Sequence, residues 1–138
     1  MPTIEELESR KAELEAARAA RASTEKAEAL AQEVADLEML DKLEAEHGAV
    51  GKFLYQVPTP GGMVVVKRPN ALHYKRFAEI GEKAKTEDVA KLVRPCVVHP
   101  TIADFDLLCE EFPATLMRAA NAVGFLAGHR QKDLSEKS

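Results

Sequence analysis

"VVVKRPNALHYKRF", residues 64–77, is where the chain changes from one kind of structure to another. Three consecutive valines favour a strand, because β-branched side chains fit a pleated, packed surface. The apolar run ends at Lys67 and Arg68, and Pro69, lacking an N–H, stops the ladder. Asn70 is a good N-cap, so a helix is expected to start at Ala71. Within it His73, Phe77, Ile80 and Ala84 recur at helical spacing and define one face, with His73 on its half-buried flank. Lys75 and Lys83 stand four residues from Glu79 and Arg76 three, so local pairing accounts for most of the positive charge. Lys67, Arg68 and Arg94 are left over as a site for an acidic partner.

Working upstream, residues 52–57 (KFLYQV) and 63–67 (MVVVK) are rich in β-formers and flank Pro58-Thr59-Pro60-Gly61-Gly62. Two short runs around a five-residue Pro/Gly loop predict a β-hairpin. A lone hairpin is marginal in water, so it must lie on helices or join another sheet.

Downstream, Thr86 is expected to cap a second helix whose apolar face is Val89, Leu92, Val93 and Cys96, with Pro95 ending it near Arg94. Thr101 with Asp104 makes a weaker capping box for a third helix, burying Ile102, Phe105, Leu108, Cys109 and Phe112. Pro113 suits the first turn of a fourth helix, which presents Leu116, Ala120, Val123 and Ala127 on one face and ends at Gly128. Residues 129–138, HRQKDLSEKS, are expected to be a disordered tail.

The N-terminal third is different in kind. Residues 3–46 contain no Gly or Pro and are rich in Ala, Glu and Leu, strong helix formers. Thr3 and Glu6 fit a capping box. Ile4, Leu7 and Leu14 follow a heptad seam that Arg18, Arg21 and Glu25 interrupt, and it resumes with Leu30, Val34, Leu37, Leu40 and Leu43. One helix of ~40 residues, on the order of 60 Å long, fits this pattern; so does a helical hairpin turning near Ala22-Ser23-Thr24. The apolar positions from Leu30 to Leu43 need cover, from the chain's own domain or from another subunit. The net charge of −4 divides unevenly: residues 1–47 hold 6 Lys/Arg and 13 Asp/Glu, the remainder 13 and 10. Charge and composition both change near Gly48. The expected organisation is an acidic helical arm (1–47), a β-hairpin with a bundle of about four short helices (48–128), and the tail (129–138). The fold class is α+β, mostly α.

Chemistry finds little purchase. Cys96 and His99 form a C-x-x-H, and Cys109 and His129 could complete a Cys₂His₂ set, but their spacings match no usual zinc site. Both cysteines fall on apolar helical faces, where a free thiol behaves as a small hydrophobe. No Cys/His pair has an orienting third group, and Gly61-Gly62 sits in a hairpin rather than between strand and helix, so it cradles no phosphate. Asp104 and Asp106 are two apart on a helix and point to different sides. No enzymatic activity, metal or cofactor is expected. A surplus of three positive charges over 91 residues is low for a phosphate-binding domain, which makes nucleic acid an unfavoured partner. No apolar run approaches the ~20 residues that span a bilayer, and the N-terminus is acidic and polar rather than a secretory signal, so no membrane role and a cytoplasmic location are expected.

The order of these segments resembles a family. "VVVKRPNALHYKRF", then a short Lys-rich helix, then "LVRPCVVHPTIADFDLLCEEFPATLMRAANAVGFLAG" is similar to small tail assembly chaperones of long-tailed bacteriophages and prophages. The likeness covers about residues 50–128; the acidic arm lies outside it. It implies a non-enzymatic chaperone of the infected bacterium's cytoplasm that keeps the tape-measure protein soluble during tail morphogenesis and is absent from the finished tail. The family supplies no catalytic residues. Partner contacts are expected at Leu7, Leu14, Leu30, Val34 and Leu37 in the arm, which also offers a route to a homo-oligomer, and at Lys67, Arg68 and Tyr74 at the junction. The alternatives are a structural virion protein of a tail or head–tail joint that acts by self-assembly and, behind it, a nucleic-acid-binding regulator.

Overall fold

The computed structural model describes residues 1–128; the tail expected to be disordered lies outside the described residues. The chain separates into two units, Met1–Met39 and a second beginning at Leu40. That division falls eight residues before the change of composition at Gly48, because Leu40 and Leu43 are buried (8% and 5% exposed). The architecture is α+β and mostly α: α1 (Ile4–His47), the strands β1 (Leu54–Thr59) and β2 (Gly62–Lys67), α2 (Ala71–Ile80), α3 (Thr86–Val93), β3 (Val97–His99), α4 (Ile102–Glu111) and α5 (Ala114–Leu126).

The first unit consists of α1 up to Met39 with its short N-terminal lead. Of the two courses the sequence allows, the single helix is the one formed. The Ser23-Thr24 step stays helical, and the Thr24 hydroxyl donates to the Ala20 carbonyl (3.0 Å). Thr3 Oγ1 accepts from the Glu6 amide (3.2 Å), closing the first turn. Arg10–Glu13 (3.4 Å), Lys11–Glu15 (3.8 Å) and Gln32–Asp36 (2.8 Å) add side-chain pairs at i,i+3 and i,i+4. No residue of this unit is buried, so helix propensity and such pairs hold its secondary structure.

In the second unit β1, β2 and β3 form an antiparallel sheet in that order. The hairpin is tighter than a five-residue loop: Pro58 pairs with Met63 and Thr59 with Gly62, leaving Pro60-Gly61 as the connection. Pro58 is tolerated because β1 is an edge strand, where a missing donor breaks no inner ladder. The Thr59 hydroxyl, which donates to the Gly62 carbonyl (2.5 Å), spans the turn. Gly61 sits at a close approach, where a Cβ would displace the side-chain ends of Leu108 in α4 and of Phe112 just after it. The third strand, β3, was not foreseen. It has three residues, and a register shift between Val65 and Val66 sets Val66 against Val97 and Val65 against His99, leaving Val98 as the extra residue of a bulge.

β2 is the centre. Met63, Val64, Val65 and Val66 are all buried, so both faces of the strand are covered and the usual alternation disappears. Val64 and Val66 join Val57, Val89, Leu92, Val93, Cys96, Phe105, Ala119, Ala122, Val123 and Leu126 in one cluster. Met63 and Val65 point to the opposite side, and with Leu40, Leu43 and Leu54 they are the buried aliphatics outside that cluster.

The helix ends mostly follow their signals. Asn70 Oδ1 accepts from Leu72 N (2.9 Å) and His73 N (3.2 Å), Thr101 Oγ1 accepts from Asp104 N (3.3 Å), and Gly128 follows α5 at φ +102°. The N-cap of α3 is Lys85, one residue before Thr86. Lysine offers no acceptor, so only the reciprocal bond forms, from Lys85 N to Asp88 Oδ2 (2.9 Å). Two buried faces are rotated from expectation. In α5 Thr115, Ala119, Ala122, Val123 and Leu126 go inward, while Leu116, Ala120 and Ala127 are half-buried. In α2 Tyr74 and Phe77 pack on the core while His73 and Ile80 are exposed. Ile102 is also exposed (40%), and Phe105 is the buried anchor of α4.

These burials separate the residues of α1 by energy. Leu43→Ala is expected to lower unfolding stability by about 2–5 kcal/mol, as for other buried leucines, and Leu37→Ala, at a 62% exposed site, by no more than about 0.5 kcal/mol. Urea unfolding of the full chain followed by circular dichroism measures both; equal losses would contradict the division at Leu40.

Candidate functional surfaces

The arm residues do not make one seam. At about 100° per residue, Leu7 and Leu14 share one face of α1, and Leu30, Val34 and Leu37 share another roughly 140° away from Leu7. All five are exposed, Leu7 at 56%, Leu14 at 47%, Leu30 and Val34 at 53% and Leu37 at 62%. By the same helical period Leu40 and Leu43 turn off the Leu30 stripe, which is why the apparent heptad resumption splits into a buried part and an exposed part.

At the junction the structure brings Arg68 and Tyr74 together. With Pro69, Lys75 and Leu126 they line an open groove of about 440 Å³, whereas Lys67, exposed at the end of β2, does not line it. Arg68 has intramolecular work. Its backbone N–H donates to Phe53 O (3.0 Å), its guanidinium donates to Lys52 O (2.8 Å), and the guanidinium carbon stands 4.8 Å from the Phe53 ring centroid. The Lys52 ammonium lies 5.5 Å from the same ring. Tyr74 sits 6.4 Å from the Phe77 ring, and burial pushes its phenol pKa above the ordinary value.

The structure changes the charge assignment for Arg94 and for the cations of the α2 region, while Lys67 and Arg68 make no ion pair among the described residues. Arg94 is held by Asp106 through two hydrogen bonds, Nε to Oδ1 (3.2 Å) and Nη2 to Oδ2 (3.0 Å), so it is no open site. Lys75, Arg76 and Lys83 make no ion pair among the described residues, and neither does Glu79. On a solvated helix such i,i+4 pairs are worth only a few tenths of a kcal/mol and need not close. Opposed carboxylate and guanidinium groups on facing elements, as at Arg94, are more constrained.

A second groove escaped the sequence reading. Between α2 and α3, Phe77, Ile80 and Leu92 line a cavity of about 290 Å³ together with His73, Arg76, Asp88 and Lys91. Asp88 is engaged in capping α3. The signal was present in Arg76 and Ile80, four apart and therefore on one face. Assigning Ile80 to the core and Arg76 to Glu79 concealed it.

Cys96 is buried, and its Sγ donates to the Leu92 carbonyl (3.4 Å). Burial raises its pKa and the Lys67 charge opposes this; Cys109 is raised by burial and by Asp106. No group of three or more His, Cys, Asp or Glu gathers at metal-binding distance among the described residues, and His129 lies outside them. Among those residues no helix is long and apolar enough to cross a membrane.

Comparison with protein-family models, with curated proteins and with solved structures found no match.

Two measurements follow from this geometry. Arg68→Ala is expected to cost roughly 1 kcal/mol by removing a charged hydrogen bond and a cation–π contact at an exposed site, and Lys67→Ala close to nothing; denaturant titration compares them. A thiol whose pKa is raised on folding keeps its proton when the unfolded chain has lost it, so stability falls as pH rises through the unfolded thiol's pKa, near 8.5. Cys96→Ala should flatten that decline, and an unchanged slope would remove Cys96 as its source.

Proposed function

We propose that this chain is a non-enzymatic tail assembly chaperone of a long-tailed bacteriophage, acting in the host cytoplasm to keep the helical tape-measure protein soluble. The observation that carries the reading is the stripe Leu30, Val34 and Leu37, each more than half exposed on the long helix α1. Three aliphatic residues at i, i+4 and i+7 on a surface helix form an anchor pattern for a partner helix, and clustered exposed apolar side chains mark interaction surfaces. A protein that spans a phage tail has long apolar helical stripes to hide, and a preformed stripe of the same kind is what would cover them. The resemblance over residues 50–128, with its strand, basic-Pro junction and Pro-initiated Ala-rich helix, points the same way. β1, an edge strand, adds a second route to an extended partner segment.

The runner-up is a structural virion protein that stays in the particle, since the same stripe would equally serve a neighbouring subunit. The test is co-expression with the tape-measure protein of the same phage. The full chain should raise the soluble fraction of that protein at least tenfold, and the triple substitution Leu30→Ser, Val34→Ser, Leu37→Ser should abolish the gain while leaving the helical circular dichroism unchanged. Recovery of the chain in stoichiometric amount from finished tails would sink the chaperone reading and favour the structural one.

A further inference from the structure

The arm carries an acidic segment whose charge matches a groove on the body. Residues 27–41 hold Glu28, Glu33, Asp36, Glu38 and Asp41 and no lysine or arginine. Around the exposed stripe of Leu30, Val34 and Leu37, Glu33 and Glu38 fall about 70° to either side, so an apolar ridge is flanked by carboxylates on both edges. Neither glutamate has a cationic partner among the described residues.

The groove between α2 and α3 has the complementary pattern. Its apolar lining is Phe77, Ile80 and Leu92, with Ile80 38% exposed, and Arg76 and Lys91 line it with no carboxylate partner among the described residues. Its one acid, Asp88, already accepts the Lys85 N–H. Leu72, also on α2, is 54% exposed. Residues 67–94 together hold eight Lys/Arg against four Asp/Glu, so this part of the chain attracts acidic surfaces at long range.

We infer that residues 28–38 of one copy of the chain dock in the α2–α3 groove of a second copy, with Leu30, Val34 and Leu37 seated over Phe77, Ile80 and Leu92 and Glu33 and Glu38 facing Arg76 and Lys91. Charge favours this pairing over arm against arm. Two copies of an arm segment with five acids and no base would set like charges together, whereas the groove supplies the opposite sign. The two surfaces differ, so the contact is heterologous: each copy gives an arm and receives one, and the assembly closes into a ring or runs open. The inference stands apart from the chaperone reading, because it concerns the purified chain with no second protein present.

The experiment is light scattering after size exclusion on full-length chains, in low and high salt. The wild type should be larger than a monomer and shrink as salt screens the contact. An arm variant (Leu30→Asp, Leu37→Asp) and a groove variant (Arg76→Glu, Lys91→Glu) should each be monomeric, with helical circular dichroism retained. Mixed in equal amounts they should form a one-to-one complex, because the first keeps an intact groove and the second an intact arm. Adding Glu33→Lys and Glu38→Lys to the groove variant should restore self-association within one chain. A monomeric wild type overturns the proposal. So does a groove variant that assembles as the wild type does, which would mean arm pairs with arm, and so does the absence of a complex on mixing.

Discussion

Everything in the second unit is arranged around a strand that cannot face water. Four consecutive buried residues, Met63 to Val66, require cover on both faces and partners on both edges. β1 and β3 take the edges. The face of Val64 and Val66 is closed by a cluster drawn from α3, α4 and α5, and the complete burial of Val65 requires a cover on the other side too. At about 25 cal/mol per Å² of apolar surface, burying such a run contributes strongly to stability. Exposing one of its faces would create the flat apolar surface that promotes aggregation. The hairpin is packed close by the same constraint: its tip lies against Leu108 of α4 and Phe112 just beyond it, so a Cβ at Gly61 would push their side chains aside.

This explains which parts of the fold were legible. Signals that act through local hydrogen bonds read correctly, as with the Asn70 cap, the Thr101 cap and the Gly128 terminus, because a side chain two or three residues away completes them. The long uninterrupted helix was legible in the absence of Gly and Pro, and past Ser23-Thr24 the Thr24 hydroxyl bonds back to Ala20 within it. What failed depends on distant partners. β3 is a three-residue strand that β2 pulls into register through a bulge, and no periodicity announces so short an element. Helix α5 presents small residues on several sides, so its inward face is chosen by the sheet it packs on; Thr115, Ala119 and Ala122 win over Leu116 because close approach favours small side chains.

The candidate surfaces were legible in the same uneven way. The exposed leucines and valine of the arm were identified from spacing, since an apolar residue on a polar helix stands out. Their division into two stripes appeared only when the straight helical period replaced the assumed heptad. The basic residues were misassigned because a charge's partner is set by tertiary neighbours. Arg94, expected to be open, is bonded to Asp106 of α4, and Arg76, expected to be paired, has no ion-pair partner among the described residues. The α2–α3 groove exists because Tyr74 and Phe77 turn inward and thereby turn Ile80 and Arg76 outward, a rotation that hydrophobicity alone left undecided.

The arm's composition bears on how it would bind. A helix held together by packing loses its shape when its partner leaves, and must be ordered again on binding. No residue of the first unit is buried, yet the helix has an N-terminal cap, side-chain pairs at i,i+3 and i,i+4 and an interior free of Gly and Pro. Its backbone is therefore ordered before any partner arrives, and the side-chain stripe of Leu30, Val34 and Leu37 is already aligned. Ordering a disordered segment on binding costs a few kcal/mol of the gross interaction energy, and a preformed helix avoids most of that cost. A short apolar stripe of three residues could then hold a partner with modest contact area, and release it when a larger surface, such as a polymerising assembly, competes for the same helix. Tight capture would need a longer seam, and the charged interruption at Arg18, Arg21 and Glu25 keeps the two stripes short.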